Sequence, residues 1–201
     1  MQKNDRKTLK SDLVRKAFAE TAKAIIVKEG YEGVSIRRIA EQTGYTYATI
    51  YNHFRGIDEL LWLVRDLLIR EIIQYMEIHG PKEVSGINDV RASFVTYAAY
   101  FTAKPQVFRF FYFRKLDPQE KPQGAGEYAS ALEAKVHGTF AFLQQSEQFT
   151  SEEIPMLIKI LITSIHGMLT LALSENDTLS ITDIPSEIDG MFRYLFENPR
   201  K

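Results

Sequence analysis

The chain has 201 residues and a formal net charge of −1, with 45% hydrophobic and 25% charged residues. These ordinary globular values exclude intrinsic disorder and fibrous repeats as descriptions of the whole chain. Cysteine is absent, which excludes disulfides, thiolate nucleophiles and Cys-ligated zinc sites.

Helical spacing of apolar residues begins at about residue 11, and Gly30 ends the first predicted helix. A short second helix follows from Ser35, which is placed to cap it, to Gly44. Thr46 is placed to cap a third helix over about 47–53. These three elements are predicted from local spacing and capping residues alone.

The fourth predicted helix spans about 57–79 and opens on Asp58 and Glu59, whose negative charge complements the helix dipole. Breaks that contain proline, glycine or polar residues then separate five more apolar-periodic segments. These segments lie at about 88–103, 105–115, 126–146, 152–173 and 185–197. Because no alternating strand pattern is present, we predict an all-α chain of about nine helices.

The stretch Ser35–Phe54 joins two short helices across Gly44, where glycine can adopt a positive φ without a steric clash. Ala40 is small where the two helices must approach closely, and Ile50 can fill the angle between them. This spacing is typical of a helix-turn-helix. The alternative is an ordinary helical corner, but the exposed polar chemistry of the second helix favours nucleic-acid binding.

Charge is divided unevenly along the chain. Residues 1–56 contain eleven Lys and Arg against six Asp and Glu, a net charge of +5. Residues 57–201 contain fourteen against twenty, a net charge of −6. This division indicates a small polyanion-binding module followed by a larger domain. The alternative is a solvated basic tail, which does not account for Arg37, Arg38 and Arg55.

Residues about 11–68 resemble the DNA-binding domain of the tetracycline-repressor (TetR) family. The matching residues are Gly30-Tyr31, Val34-Ser35, Ile39-Ala40, Gly44, Thr46 to Phe54 and Asp58 to Leu61. The resemblance implies residues 1–56 as the DNA-binding domain, a connecting helix over 57–79, and an effector-binding and dimerisation domain over 80–201. Ile57 departs from the family pattern, because a lysine that binds phosphate often stands at this position.

The resemblance also implies which side chains contact DNA. The predicted DNA-binding residues are Ser35, Arg37, Thr46, Tyr47, Thr49, Tyr51, Asn52, His53 and Arg55. Two of them have alternatives: Tyr51 as a packing residue, and His53 as a solvated one. The N-terminal basic residues are either a groove-following arm or a solubilising tail. They are Lys3, Arg6, Lys7 and Lys10.

The segment Thr96–Lys115 holds more aromatic residues than one helix face needs. We interpret it, with two later histidines, as part of a largely apolar effector site; the alternative is a packed core. The predicted ligand-binding residues are Tyr97, Tyr100, Phe101, Phe108, Phe111, Tyr112, His137 and His166. No second metal ligand stands at usable spacing from these histidines, so we predict neither a metal nor a cofactor.

Helices at about 152–173 and 185–197 are predicted to form the homodimer interface; the alternative is that one is merely the core of a monomer. Ile154–Leu173 is long enough to span a bilayer, but Pro155, Lys159 and His166 interrupt it. We therefore expect a deeply buried helix in a soluble protein without membrane contact. The charged N-terminal segment does not match a secretory signal, which favours a cytoplasmic location.

Together these patterns predict a homodimeric transcriptional repressor that binds a palindromic operator and is released by a small-molecule effector. One alternative is an enzyme with a helical apolar pocket, which the lack of a nucleophile–base pair or cofactor fingerprint argues against. We therefore predict that the chain is not an enzyme. The other alternative is a helical module that binds protein instead of DNA.

Overall fold

A computed structural model describes residues 3–140, 149–174 and 179–197. Across these residues the chain forms nine α-helices and no strand, which confirms the predicted all-α class. The helices are α1 (Lys3–Glu29), α2 (Ile36–Thr43), α3 (Tyr47–Tyr51), α4 (Ile57–His79), α5 (Ile87–Ala103), α6 (Pro105–Phe113), α7 (Glu127–Thr139), α8 (Glu153–Ala172) and α9 (Ile184–Phe192). Residues 141–148, which end the predicted segment 126–146, lie outside the described residues.

Helix α1 begins earlier than the sequence predicted, at Lys3 rather than near residue 11. The prediction was wrong because the charged N-terminal segment lacks the apolar spacing by which an amphipathic helix is found in sequence. The backbone of the predicted basic arm is therefore helical. The side chains of residues 3–8, including Lys3, Arg6 and Lys7, lie outside the described part of the structure.

The chain divides into two compact units. The first consists of Met1–Arg70 with Gln106–Ala129, and the second of Glu71–Pro105 with Ser130–Lys201. This division passes through α4 and groups α6 with the helix-turn-helix. The sequence prediction instead gave residues 1–56 and 80–201 as the two domains, with 57–79 as the helix that connects them. Sequence periodicity could not indicate this grouping, because it depends on hydrogen bonds between segments far apart in the chain.

In the first unit, the segment that follows α6 bonds to the start of α4. The Asp58 carboxylate accepts from Arg114 Nη2 at 2.7 Å and from the Asp117 amide at 2.8 Å. The Glu120 carboxylate accepts from the Glu59 amide at 3.0 Å. Glu120 therefore satisfies a backbone N–H that has no partner inside the helix, and both carboxylates place negative charge where the helix dipole favours it.

In the second unit, α5, α8 and α9 bury their apolar faces together. The buried side chains are Val90, Phe94, Leu161, Ile165, Leu169, Ile188 and Phe192. The Phe94 ring lies 5.9 Å from the Phe140 ring and 5.9 Å from the Phe192 ring. An ion pair between Arg91 and Asp189 joins α5 to α9 beside this core.

Helix α8 is the one helix among the described residues that is long and apolar enough to pass a length and composition test for a membrane span. Within the single chain α8 is buried on one face only, because its neighbours α5 and α9 cover that face. The buried residues are Ile154, Leu157, Ile158, Leu161, Ile165 and Leu169. The opposite face exposes Met156, Ile160, Gly167 and Leu171.

Candidate nucleic-acid interface

Helices α2 and α3 have the caps and the turn that the sequence predicted. The Ser35 hydroxyl accepts from the Arg38 amide at 3.2 Å, and the Thr46 hydroxyl accepts from the Thr49 amide at 3.2 Å. Gly44 ends α2 in the left-handed region, with φ of 73°. Ala40 and Ile50 are both buried at the corner. These local interactions fix α3 relative to α2 before any partner binds.

Substitution of Gly44 tests the turn. The backbone at Gly44 has a positive φ but no heavy atom within 4 Å of an added Cβ, so Gly44→Ala introduces backbone strain without a side-chain clash. We expect a loss of about 1 kcal/mol in the free energy of unfolding. Gly138→Ala in α7 is the matched substitution, because an added Cβ there also meets no atom within 4 Å and φ is not positive.

For Gly138→Ala we expect the free energy of unfolding to rise by about 0.5–1 kcal/mol, since alanine is the better helix former. Urea unfolding of both variants measures the two changes. Equal effects of the two substitutions would contradict the proposed backbone requirement at Gly44.

The outward face of α3 consists mainly of aromatic and small side chains. Tyr47 is 49% exposed and Tyr51 is 59% exposed, and Ala48 and Asn52 lie beside them on the surface. A large ring with this exposure contributes little to the packing of a free module. The face is therefore available to a partner along its whole length.

The threonines of α3 have a structural role in the free chain. The Thr46 and Thr49 hydroxyls lie 2.9 Å apart and are hydrogen-bonded, and Thr46 also caps the helix. Thr49 is only partly exposed. Tyr45, which is not among the predicted DNA-binding residues, is 41% exposed and packs edge-on against Phe18 with ring centroids 5.1 Å apart. Tyr45 therefore extends the aromatic surface of α3 by one ring.

The C-terminal end of α3 is held by α1. Ser11 Oγ lies 3.3 Å from His53 Nδ1, and Arg15 donates a hydrogen bond to the His53 carbonyl. The Arg15 guanidinium also lies over the Phe54 ring, 4.2 Å from its centroid. His53 is thus partly buried against α1, and its predicted contact with DNA depends on the ring edge that stays exposed.

Glu59 of α4 joins α1 to the residues that follow α3. Its carboxylate accepts from Arg15 Nη2 at 3.1 Å, from the Arg55 amide at 2.8 Å and from Arg55 Nε at 3.2 Å. Burial raises the pKa of Glu59, but these hydrogen bonds and the Arg15 charge outweigh burial and hold the pKa below its usual range. Glu59 is therefore a charged, buried residue that positions the groups bonded to it. Because Arg15 and Glu59 are 44 residues apart, the sequence did not indicate that they meet.

The arginines around α3 are paired with carboxylates. Arg38 Nη2 lies 2.5 Å from Glu29, and Arg37 Nε lies 2.8 Å from Glu41. Both side chains of the Arg37–Glu41 pair are strongly exposed, so the pair is weak and Arg37 can exchange Glu41 for a phosphate.

An open cleft of about 270 Å³ lies at the end of α3 and contains both charged and aromatic groups. Its lining residues are Tyr51, Asn52, His53, Phe54, Arg55 and Glu59.

The residues predicted to bind an effector fall in both units. Tyr97, Tyr100, Phe101, His137 and His166 belong to the second unit, and Phe108, Phe111 and Tyr112 to the first. Tyr97 and His166 are brought together, with the Tyr97 hydroxyl 2.9 Å from His166 Nε2. His137 and Tyr112 are exposed, while Tyr100, Phe101 and Phe108 are fully buried.

We expect His166 to make the stability of the protein depend on pH. Burial lowers the pKa of His166, so the folded chain disfavours its charged form. Its contribution to stability is present above the ordinary histidine pKa and is lost as pH falls through the lowered value. We expect the free energy of unfolding to fall between pH 7.5 and pH 5.5, and to fall less in His166→Gln.

Urea unfolding at the two pH values measures this difference. His137→Gln, at an exposed position of α7, controls for the chemical change itself. An identical pH dependence in the parent and in His166→Gln would contradict the assignment.

A family profile of known proteins matches part of the described module. Residues 19–62 match the sequence profile described as "Bacterial regulatory proteins, tetR family". This range begins within α1, contains α2 and α3, and ends in the first turns of α4. The match therefore covers the capped corner and the aromatic face, but not the second unit. No curated protein matches the chain.

Solved structures match nearly the whole chain at low sequence identity. A protein of unknown function from Rhodococcus sp. RHA1 has a TM-score of 0.71 and 19% identity, over 90% of this chain and 94% of that one. A protein from Shewanella sp. PV-4 assigned to the tetR family of transcription regulators has a TM-score of 0.65 and 16% identity, over 89% and 95%. A regulator of the TetR/AcrR family from Thermobifida fusca YX-ER1 has a TM-score of 0.60 and 15% identity, over 92% and 98%. These similarities show a shared fold.

Proposed function

Because this chain carries the N-terminal domain of the tetR family of bacterial regulatory proteins on the fold of that family's transcription regulators, we propose that it regulates transcription as a homodimer. Each subunit inserts α3 into a major groove of operator DNA. The supporting observation is the exposed face of α3, where two tyrosines, Ala48 and Asn52 lie on a helix already fixed by its caps. Side chains of these types can bond to base edges and phosphates.

The contacts divide into those that position the protein and those that select sequence. We assign Ser35, Arg37 and Arg55 to the phosphate backbone, because the first two lie at the start of α2 and Arg55 follows α3, so none is on the outward face of α3. Thr46, Thr49, Asn52 and His53 complete the predicted DNA-binding set. Tyr47 and Tyr51 carry the outward face of α3, so we assign base contacts chiefly to Tyr47, with the Tyr51 hydroxyl near phosphate.

We assign the dimer interface to α8 and α9. The exposed face of α8 is a stripe of apolar and small residues at helical spacing: Met156, Ile160, Thr163, Gly167 and Leu171. Gly190 on α9 and Tyr194 just after it are also exposed. A stripe of this kind on a single chain fits burial against its own copy across a two-fold axis. Two-fold symmetry implies a palindromic operator with half-sites about one helical turn, or a multiple, apart.

Regulation requires a ligand that favours one arrangement of the dimer over another. We propose a largely apolar small molecule bound in the C-terminal part of the chain, with release from DNA as the output. The paired Tyr97 and His166 supply polar groups beside aromatic rings, with Tyr97 and Phe101 ring centroids 5.0 Å apart. The protein acts by binding rather than by catalysis and is located in the cytoplasm with its operator.

Selection of bound duplexes from a random pool, followed by anisotropy titrations, tests the proposed DNA contacts. Arg37→Ala should weaken binding to all duplexes about equally and reduce the salt slope by about 1, whereas Tyr47→Ala should relax sequence preference at a cost of about 1–3 kcal/mol. Recovery of no preferred sequence by the intact dimer would overturn the proposed function. An unchanged salt slope would remove Arg37 from the phosphate contacts.

A further inference from the structure

The segment that reaches base edges in the proposed complex carries no charged residue. The segment 44–54 contains no Lys, Arg, Asp or Glu. Its exposed side chains are Tyr45, Thr46, Tyr47, Ala48, Tyr51 and Asn52. Three aromatic rings and one methyl group therefore form most of the surface that can reach base edges.

Some polar groups of this segment already form hydrogen bonds within the segment itself. The Thr46 hydroxyl bonds to the Thr49 hydroxyl at 2.9 Å and to the Thr49 amide at 3.2 Å. The Tyr45 ring is held in place against Phe18. Asn52 is thus the one exposed amide side chain of the segment.

The arginines nearest to α3 form ion pairs with carboxylates. These carboxylates are less exposed than Glu41, which is the partner of Arg37. Arg15 and Arg55 share the buried Glu59, and Arg38 is paired with Glu29. Release of Arg15 or Arg55 would leave the charge of Glu59 buried with a partner missing, which is unfavourable. Both Nη groups of Arg15 are bonded, to the His53 carbonyl and to Glu59, so Arg15 is poorly placed to make the bidentate contact by which arginine reads guanine. Arg55 is assigned to phosphate in the proposed complex.

We infer that α3 reads thymine methyl groups, and that the operator half-site is rich in T·A pairs at the contacted positions. The thymine C5-methyl is the apolar group on the major-groove edge of a base pair, and it suits rings and methyl groups. The Asn52 amide suits the adenine of a neighbouring pair, because asparagine bonds to adenine N6 and N7. This inference rests on the proposed function and specifies the DNA chemistry that the same site recognises.

Replacement of thymine by deoxyuridine tests the inference, because it removes the methyl group and leaves base pairing unchanged. The probe is the half-site obtained by selection from random duplexes, with each thymine replaced in turn in both half-sites. We expect affinity to fall about fourfold for each contacted methyl group, and about 15-fold when symmetric methyl groups are removed from both half-sites. Deoxyuridine in the spacer between half-sites is the matched control and should change nothing.

The protein side of the contact has its own test. In Tyr47→Ala and in Ala48→Gly, the difference in affinity between thymine and uracil at the contacted position should shrink. Tight, selective binding to a G·C-rich half-site, or to a half-site that tolerates deoxyuridine everywhere, would overturn the inference and leave the proposed function intact. Failure to select any sequence would instead overturn the proposed function.

Discussion

Ile160→Glu is expected to convert the proposed dimer to a monomer and to reduce operator affinity about 100-fold or more. Ile160 lies near the centre of the exposed stripe of α8 and is 40% exposed in the single chain. In a two-fold interface the same stripe packs on its copy, so the substitution buries two unpaired carboxylates. A monomer then loses the gain in affinity that comes from binding both half-sites at once.

Sedimentation measures the oligomeric state, and anisotropy titration with the selected operator measures the affinity for DNA. Ile78→Glu is the matched control: it makes the same chemical change at a 58% exposed isoleucine of α4, outside the stripe. We expect this control to remain dimeric and to bind DNA normally. A dimeric Ile160→Glu protein with parental affinity would contradict the assignment of α8 to the interface.

Glu59→Ala is expected to lower the free energy of unfolding by about 2–3 kcal/mol and to weaken DNA binding. Glu59 is 9% exposed and accepts hydrogen bonds from the side chains of Arg15 and Arg55 and from the Arg55 amide. Its removal leaves Arg15 partly buried without its carboxylate, which is the costly way to break an ion pair. The substitution also releases Arg55, which follows α3, so α3 loses part of its fixed orientation.

Urea unfolding followed by the fluorescence of Trp62 measures this change, because Trp62 is the single tryptophan and bonds to the Asp117 carbonyl at 2.9 Å within the same unit. Glu41→Ala is the matched control. It also removes a glutamate from a pair with arginine, but both partners are well exposed, so we expect a change of no more than about 0.5 kcal/mol. Equal destabilisation by both substitutions would contradict the positioning role of Glu59.

We expect the ion pairs of Glu59 to give a pH dependence of stability in the acid range. The folded pKa of Glu59 lies below its usual range, so the stability contributed by this group is present at neutral pH. That contribution is lost as pH falls through the lowered pKa, where the carboxylate is protonated. Glu59→Ala should therefore show a weaker loss of stability on acidification than the parent chain.

The amino-acid sequence by itself determined the local features of the recognition module. Ser35, Gly44 and Thr46 act within three or four residues of their own positions, as caps or as a turn, so their types and spacing were sufficient to predict them. Apolar spacing likewise predicted the helices, except where α1 continues through a charged segment. The all-α class followed from the same short-range rules.

Tertiary structure alone decided which distant groups meet. Arg15 and Glu59 are 44 residues apart, and Tyr97 and His166 are 69 residues apart. No periodic pattern encodes such pairs, because side-chain partners across helices depend on how whole helices pack. The exposed stripe of α8 is a further example, since composition alone suggested burial on all sides. Which face of a helix remains open is set by the neighbours that the fold supplies.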